Sequence, residues 1–88
     1  MNLTFQKRRL QGIELKELDY SGLDLSNMQA HGAVLESCTF TDCDISLADL
    51  ANTTIEDCTF VNCDFRMSSF HLSKIRRVRF ERCDLKRA

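Results

Sequence analysis

The stretch Glu36-Ser37-Cys38-Thr39-Phe40 returns twenty residues later as Glu56-Asp57-Cys58-Thr59-Phe60, and the copies are followed by Cys43-Asp44 and Cys63-Asp64. Six of the nine positions from 36 to 44 are identical at that offset, and Phe60, Cys63 and Asp64 match again at Phe80, Cys83 and Asp84. Self-similarity at a fixed spacing marks a repeat architecture. A unit of twenty residues is therefore the first thing to explain.

A shorter period lies inside it. Every fifth position from 5 to 85 is apolar or aromatic: Phe5, Leu10, Leu15, Tyr20, Leu25, Ala30, Leu35, Phe40, Ile45, Leu50, Ile55, Phe60, Phe65, Phe70, Ile75, Phe80 and Leu85. Two residues before each lies a second inward series, from Leu18, Leu23 and Met28 to Ala33, Cys38, Cys43, Ala48, Thr53, Cys58, Cys63, Ser68, Ser73, Val78 and Cys83. Most of its later members are small.

A period of five rules out the ordinary elements. In a helix, residues five apart sit about 140° from one another, so the apolar set would spread over every face. In a flat strand an odd period sends alternate members to opposite faces. A common inside survives only if the chain turns a corner every five residues, and four corners close one circuit of twenty. Gly12, Gly22, Asn27, Gly32, Asp42, Asn52, Asp57 and Asn62 are expected at such corners. These residue types tolerate turn geometry or bond their own backbone.

The recurring triplet of a small residue, Asp, then a large apolar residue occurs as Cys43-Asp44-Ile45, Ala48-Asp49-Leu50, Cys63-Asp64-Phe65 and Cys83-Asp84-Leu85. It resembles the pentapeptide-repeat family along essentially the whole chain, most strongly from 18 to 85. The resemblance implies an all-β fold, a right-handed quadrilateral parallel β-helix of about four coils. Residues 1–88 are expected to form one domain, with 1–12 as an irregular or capping N-terminal segment. In a solenoid, stability comes from neighbours stacking on one another, so a chain of this length suffices. The expected core is Tyr20, Leu25, Leu35, Phe40, Ile45, Leu50, Ile55, Phe60, Phe65, Phe70, Ile75 and Phe80.

The resemblance does not fix one function, because one fold hosts many sites. The best-known members confer quinolone resistance or inhibit supercoiling by binding DNA gyrase. Catalysis has little support. His31 and His71 are the two histidines, neither is paired with a nucleophile or carboxylate at a catalytic spacing, and a convex solenoid offers no obvious pocket. The expectation is a non-enzyme without cofactor. Cys38-x4-Cys43 and Cys58-x4-Cys63 superficially suggest a zinc site, yet all five cysteines fall in the small inward slot. They read as small buried hydrophobes and free thiols, with no metal. The longest apolar runs are far short of a membrane span, and Lys7-Arg8-Arg9 is not followed by a signal-like apolar segment. A cytoplasmic protein is the default expectation.

Charge adds information beyond the fold. Ten acidic residues and no Lys or Arg lie between Glu17 and Asp64. Lys7, Arg8, Arg9 and Lys16 against Glu14 give residues 1–16 a charge of +3, and residues 65–88 carry +6. Asp24, Asp44 and Asp64 share a column, as do Glu36 and Glu56; with Asp42 and Asp57 they make the candidate partner-binding acidic face. Carboxylates spaced about 4.7–4.9 Å apart, like paired strands, roughly imitate phosphates rising about 3.4 Å per step.

Two readings of function follow. In the first, the chain is an inhibitor or protector that engages a DNA-binding protein complex by mimicking DNA. Gyrase or topoisomerase is the choice the family implies, and a phage-type inhibitor of a nuclease complex, such as an anti-CRISPR, is a close variant. In the second, an interaction scaffold binds a protein partner through apolar Leu47, Val61, Met67 and Leu72. A plain solvated face with the family's preference for Asp accounts for part of the acidity. The basic residues Lys74, Arg76, Arg77, Arg79, Arg82, Lys86 and Arg87 lack interleaved exposed aromatics, so direct nucleic-acid binding is not expected. They repel head-on stacking, or that end pairs in a homodimer.

Overall fold

A computed structural model describes residues 9–88. Phe5 and the first residues of the proposed N-terminal segment lie outside the described residues. Eight three-residue strands follow in order: β1 (Glu14–Lys16), β2 (Asp19–Ser21), β3 (Val34–Glu36), β4 (Thr39–Thr41), β5 (Thr54–Glu56), β6 (Thr59–Val61), β7 (Lys74–Arg76) and β8 (Arg79–Glu81). They form two parallel four-stranded sheets, β1-β3-β5-β7 and β2-β4-β6-β8. Every pairing is in register at an offset of twenty, as in Leu15 with Leu35 and Tyr20 with Phe40.

These sheets are two walls of a four-sided solenoid. A third wall is the column of parallel bridges Asp24–Asp44–Asp64–Asp84, and a fourth runs Arg9–Gln29–Asp49–Ser69. The period of twenty thus becomes one circuit of four walls, and the period of five becomes one wall. Residues 9–12 already keep this register, because Leu10 N–H donates to Gln29 O and Gly12 N–H to His31 O.

Corners fall at every fifth residue from Gly12 to Arg87, and each has positive φ, 52–61° in the non-glycines. Bulky side chains are disfavoured there, since the left-handed region costs an L-residue roughly 1–2 kcal/mol. All eight corners expected from the sequence are among them. The ladder helps to hold this geometry: corner N–H groups donate to the next rung, as Glu17 to Glu36 O (2.9 Å) and Asp42 to Val61 O (2.9 Å). Several corners flanking the fourth wall also close a four-residue turn, such as Met28 N–H to Leu25 O (3.2 Å) around Asn27. Positive φ at the third turn residue is the type II pattern. Tight turns at these corners fit walls that pair through single residues instead of three-residue strands.

The central column fills the interior. Leu25, Ile45, Leu50, Ile55 and Phe65 are almost wholly buried. Tyr20, Phe40, Phe60 and Phe80 stack rung on rung, with ring centroids 5.2–5.4 Å apart. Burial weakens at the ends of the stack. Ile75 (41% exposed), expected in the core, is largely open, and Leu85 (42%) and Leu18 (39%) depart from the inward series in the same way. Tyr20, Phe70 and Phe80 are partly buried. Among the described residues their rungs have a neighbouring rung on one side only, and their burial falls accordingly.

The small inward slot has a bonding rule. A slot residue donates to the carbonyl of the central residue 23 positions earlier: Cys38 Sγ to Leu15 O, Cys63 Sγ to Phe40 O, Ser68 Oγ to Ile45 O and Ser73 Oγ to Leu50 O. Cys and Ser satisfy it, Thr53 instead donates to Leu50 O three residues earlier, and Ala fits the space without donating. All five cysteines are free, and among the described residues no buried side-chain polar atom lacks a partner.

Candidate acidic interface

The seven proposed interface carboxylates do not share one flat face. Glu36 and Glu56 end strands on the first wall, and Asp57 is the corner after it. Asp42 is the corner between the second and third walls, and Asp24, Asp44 and Asp64 climb the third. The two groups flank the second wall, whose outward residues Thr39, Thr41, Thr59 and Val61 are uncharged. On its two central rungs the surface is a neutral β-face with two acidic margins, while the end rungs of the same wall carry Asp19, Arg79 and Glu81.

Their neighbours divide them further. Glu36 faces Lys16 (3.7 Å), Glu56 faces Arg76 (3.9 Å), Asp57 faces Arg77 (2.5 Å) and Asp64 faces Arg66 (2.6 Å). The hydrogen bond from Arg77 holds the Asp57 carboxyl below its usual range, and that from Arg66 does the same for Asp64. Asp42 instead accepts from Asn62 Nδ2 at 2.6 Å.

The third-wall aspartates also have a local duty. Asp24, Asp44, Asp64 and Asp84 each accept the backbone N–H two residues on, at 3.0–3.1 Å, and Asp49 does so on the fourth wall. This Asx arrangement mimics a backbone turn and leads the chain into the next corner. It gives a physical reason for Asp before a central residue. In Asp24 and Asp44 the same oxygen also takes the Ser26 or Ser46 hydroxyl.

The proposed apolar residues are likewise dispersed. Leu47 (47% exposed) and Met67 (50%) stack on the corner between the third and fourth walls. Leu72 (69%) is at the next corner, and Val61 lies partly buried on the second wall. Concavities of about 710 Å³ at the last rung and about 420 Å³ beside Leu47 and Met67 interrupt a surface expected to be convex. Sequence reading missed the cationic lining of the second, Arg66, Lys86 and Arg87. The signal was there, since these residues sit one or two positions after third-wall central residues. His31 and His71 occupy one fourth-wall column separated by Ala51, and both are exposed. Among the described residues, no group of three or more His, Cys, Asp and Glu is placed to hold a metal ion. No helix among them is long and apolar enough to cross a membrane.

Comparison with known proteins gives a consistent picture. A family model described as a pentapeptide repeat region matches residues 13–88. Two solved structures of QnrB1, a plasmid-mediated fluoroquinolone resistance protein, are similar to the chain. The full-length form has a TM-score of 0.83 at 26% identity, and a trypsin-treated variant has 0.83 at 25%. Each comparison covers 90% of this chain and 40% of that one, so the chain spans well under half of the relative's length. No curated protein sequence matches it.

Proposed function

Since the chain belongs to the pentapeptide-repeat family, we propose that it is a non-enzymatic binding protein that engages a DNA-handling protein complex, DNA gyrase or a topoisomerase first, and protects or inhibits it. The observation that carries this reading is the in-register ladder Asp24–Asp44–Asp64–Asp84 with Asp42 on the adjoining corner. It presents carboxylates at rung spacing, about 4.7–4.9 Å, on a wall fixed by backbone bonds. A groove shaped for duplex DNA is lined with cations, and a rigid row of anions competes for it with little ordering cost. The likeness to a fluoroquinolone resistance protein supports gyrase as the first partner to try. Glu36, Glu56 and Asp57 serve this reading as a second margin. A partner's cations reach them only in competition with Lys16, Arg76 and Arg77.

The test is capture of partners from bacterial lysate by the tagged protein at low and high salt, with and without duplex DNA. Retention of a topoisomerase or nuclease subunit that salt and duplex both release is the expected result. A folded variant combining Asp24→Asn, Asp42→Asn, Asp44→Asn and Asp64→Asn, in which asparagine keeps the side-chain oxygen that the Asx bonds need, is expected to lose it. Undiminished retention by that variant would exclude mimicry. Recovery of a nuclease complex instead would move the assignment to the anti-CRISPR type.

A further inference from the structure

The corner between the third and fourth walls is built differently from its neighbours. Its column runs Asn27, Leu47, Met67, Arg87, all at positive φ, so two large apolar side chains stand where Asn serves one rung below. Both are about half exposed and line the concavity of about 420 Å³ together with Ser46, Arg66, Lys86 and Arg87. That volume is within the usual span of ligand-binding clefts, about 300–1,000 Å³. Leucine and methionine at this position stand in a backbone conformation that disfavours them, with about half of each side chain open to water.

We propose that this groove docks an acidic protein segment anchored by an apolar side chain, the anchor seated between Leu47 and Met67 and its flanking carboxylates on Lys86 and Arg87. Charge complementarity selects this occupant. Arg66 is held by Asp64 and Asp84, whereas Lys86 and Arg87 make no ion pair among the described residues. A second copy seated by the same groove brings the same cations and is repelled. Nucleic acid matches the cations but not the apolar floor, and the groove has no aromatic ring on which a base could stack. The site lies diagonally across the solenoid from the Glu56 and Asp57 margin and adjoins the third-wall aspartate ladder, to which Ser46 and Arg66 of its lining are bonded. It does not rest on the DNA-mimicry reading.

The test uses fluorescence anisotropy with a short labelled peptide alternating glutamate and leucine. A lysine–leucine peptide and a labelled DNA duplex serve as competing probes. The glutamate–leucine peptide is expected to bind, to weaken with salt, and to lose about tenfold or more in affinity in the Leu47→Asn, Met67→Asn double variant. Asparagine tolerates the corner, as Asn27 shows, so a thermal midpoint at or above that of the unmodified chain verifies folding. Absence of binding, equal binding of the lysine–leucine peptide, preference for the duplex, or unchanged affinity in the double variant would each overturn the proposal.

Discussion

Arg77 stands one rung above Asp57 on the same corner, with its guanidinium Nε 2.5 Å from the carboxylate and both residues at positive φ. The partners are twenty residues apart in sequence and meet only when the coils stack, so this ion pair reports on the stacked state. Arg77 holds the folded Asp57 pKa below the ordinary 3.8. A depressed carboxylate contributes stability that is fully present above the unfolded value and is lost as pH falls through the folded one. The urea midpoint is therefore expected to fall below about pH 4, and Asp57→Asn to show a shallower fall. Added salt should narrow the difference between the two, as the pair is exposed. Identical pH profiles for both proteins would rule out this linkage.

The aromatic column sets where the solenoid is most sensitive. Phe60 is 2% exposed, stacks on Phe40 and Phe80, and meets the edge of Phe65 at 5.0 Å. Phe60→Ala is expected to cost roughly 3–5 kcal/mol. Phe80→Ala should cost less, because Phe80, which also meets the Phe65 ring edge-on at 5.5 Å, is only partly buried and stacks on Phe60 alone. Denaturant titration of the two variants gives the order directly, and equal losses would contradict it.

The fold was legible because its rule is local: an inward residue every fifth position and a corner type that Gly, Asn and Asp accept. The candidate site was less so. An acidic block from Glu17 to Asp64 looks segregated along the chain, but in a solenoid the neighbours that matter are twenty residues away. Glu36 meets Lys16, Glu56 meets Arg76 and Asp57 meets Arg77 at that offset, so charge separated in sequence becomes paired in space. Leu47 and Met67 share a column and line one concavity, while Leu72 and Val61 belong to other faces. Reading charge by columns recovers these pairs from sequence. The Asx bonds of the aspartate ladder require the backbone.

Leu72 tests the corner rule. Its side chain is 69% exposed at φ 59°, and nothing about its packing offsets the backbone preference. Leu72→Asn is expected to raise stability by up to about 1 kcal/mol, the low end of the left-handed penalty. A thermal midpoint below that of the unmodified chain would show that the leucine contributes contacts that outweigh its strain.

The thiols should separate by rung. Burial pushes the Cys58 thiol above its ordinary value, and Cys38, Cys43 and Cys63 are as deeply buried. Cys83, in the last rung, is the one cysteine that is not fully buried. A thiol-reactive disulfide reagent is expected to label Cys83 first under native conditions and the remaining cysteines at the rate of unfolding. Cys63→Ser should be tolerated better than Cys63→Val, since serine still donates to Phe40 O, as Ser68 does to Ile45 O.

Asp44 allows folding and binding to be separated at one position. Its Oδ1 accepts the Ser46 N–H at 3.0 Å and the Ser46 hydroxyl at 2.6 Å, a duty that needs an oxygen but not a charge. Asparagine supplies that oxygen, whereas alanine does not. Asp44→Ala is expected to lose about 1 kcal/mol of stability, and Asp44→Asn much less. If the ladder engages a cationic groove, Asp44→Asn should nevertheless weaken partner retention and reduce its salt dependence, alone and more so with Asp42→Asn. Asp42 tolerates the change because its corner geometry suits asparagine, which occupies the same column at Asn62. Measuring urea midpoints and partner retention for Asp44→Ala, Asp44→Asn and Asp42→Asn therefore yields two independent rankings. Retention that follows stability would mean that these aspartates serve the corners alone. Retention that follows charge would place the partner on the third wall.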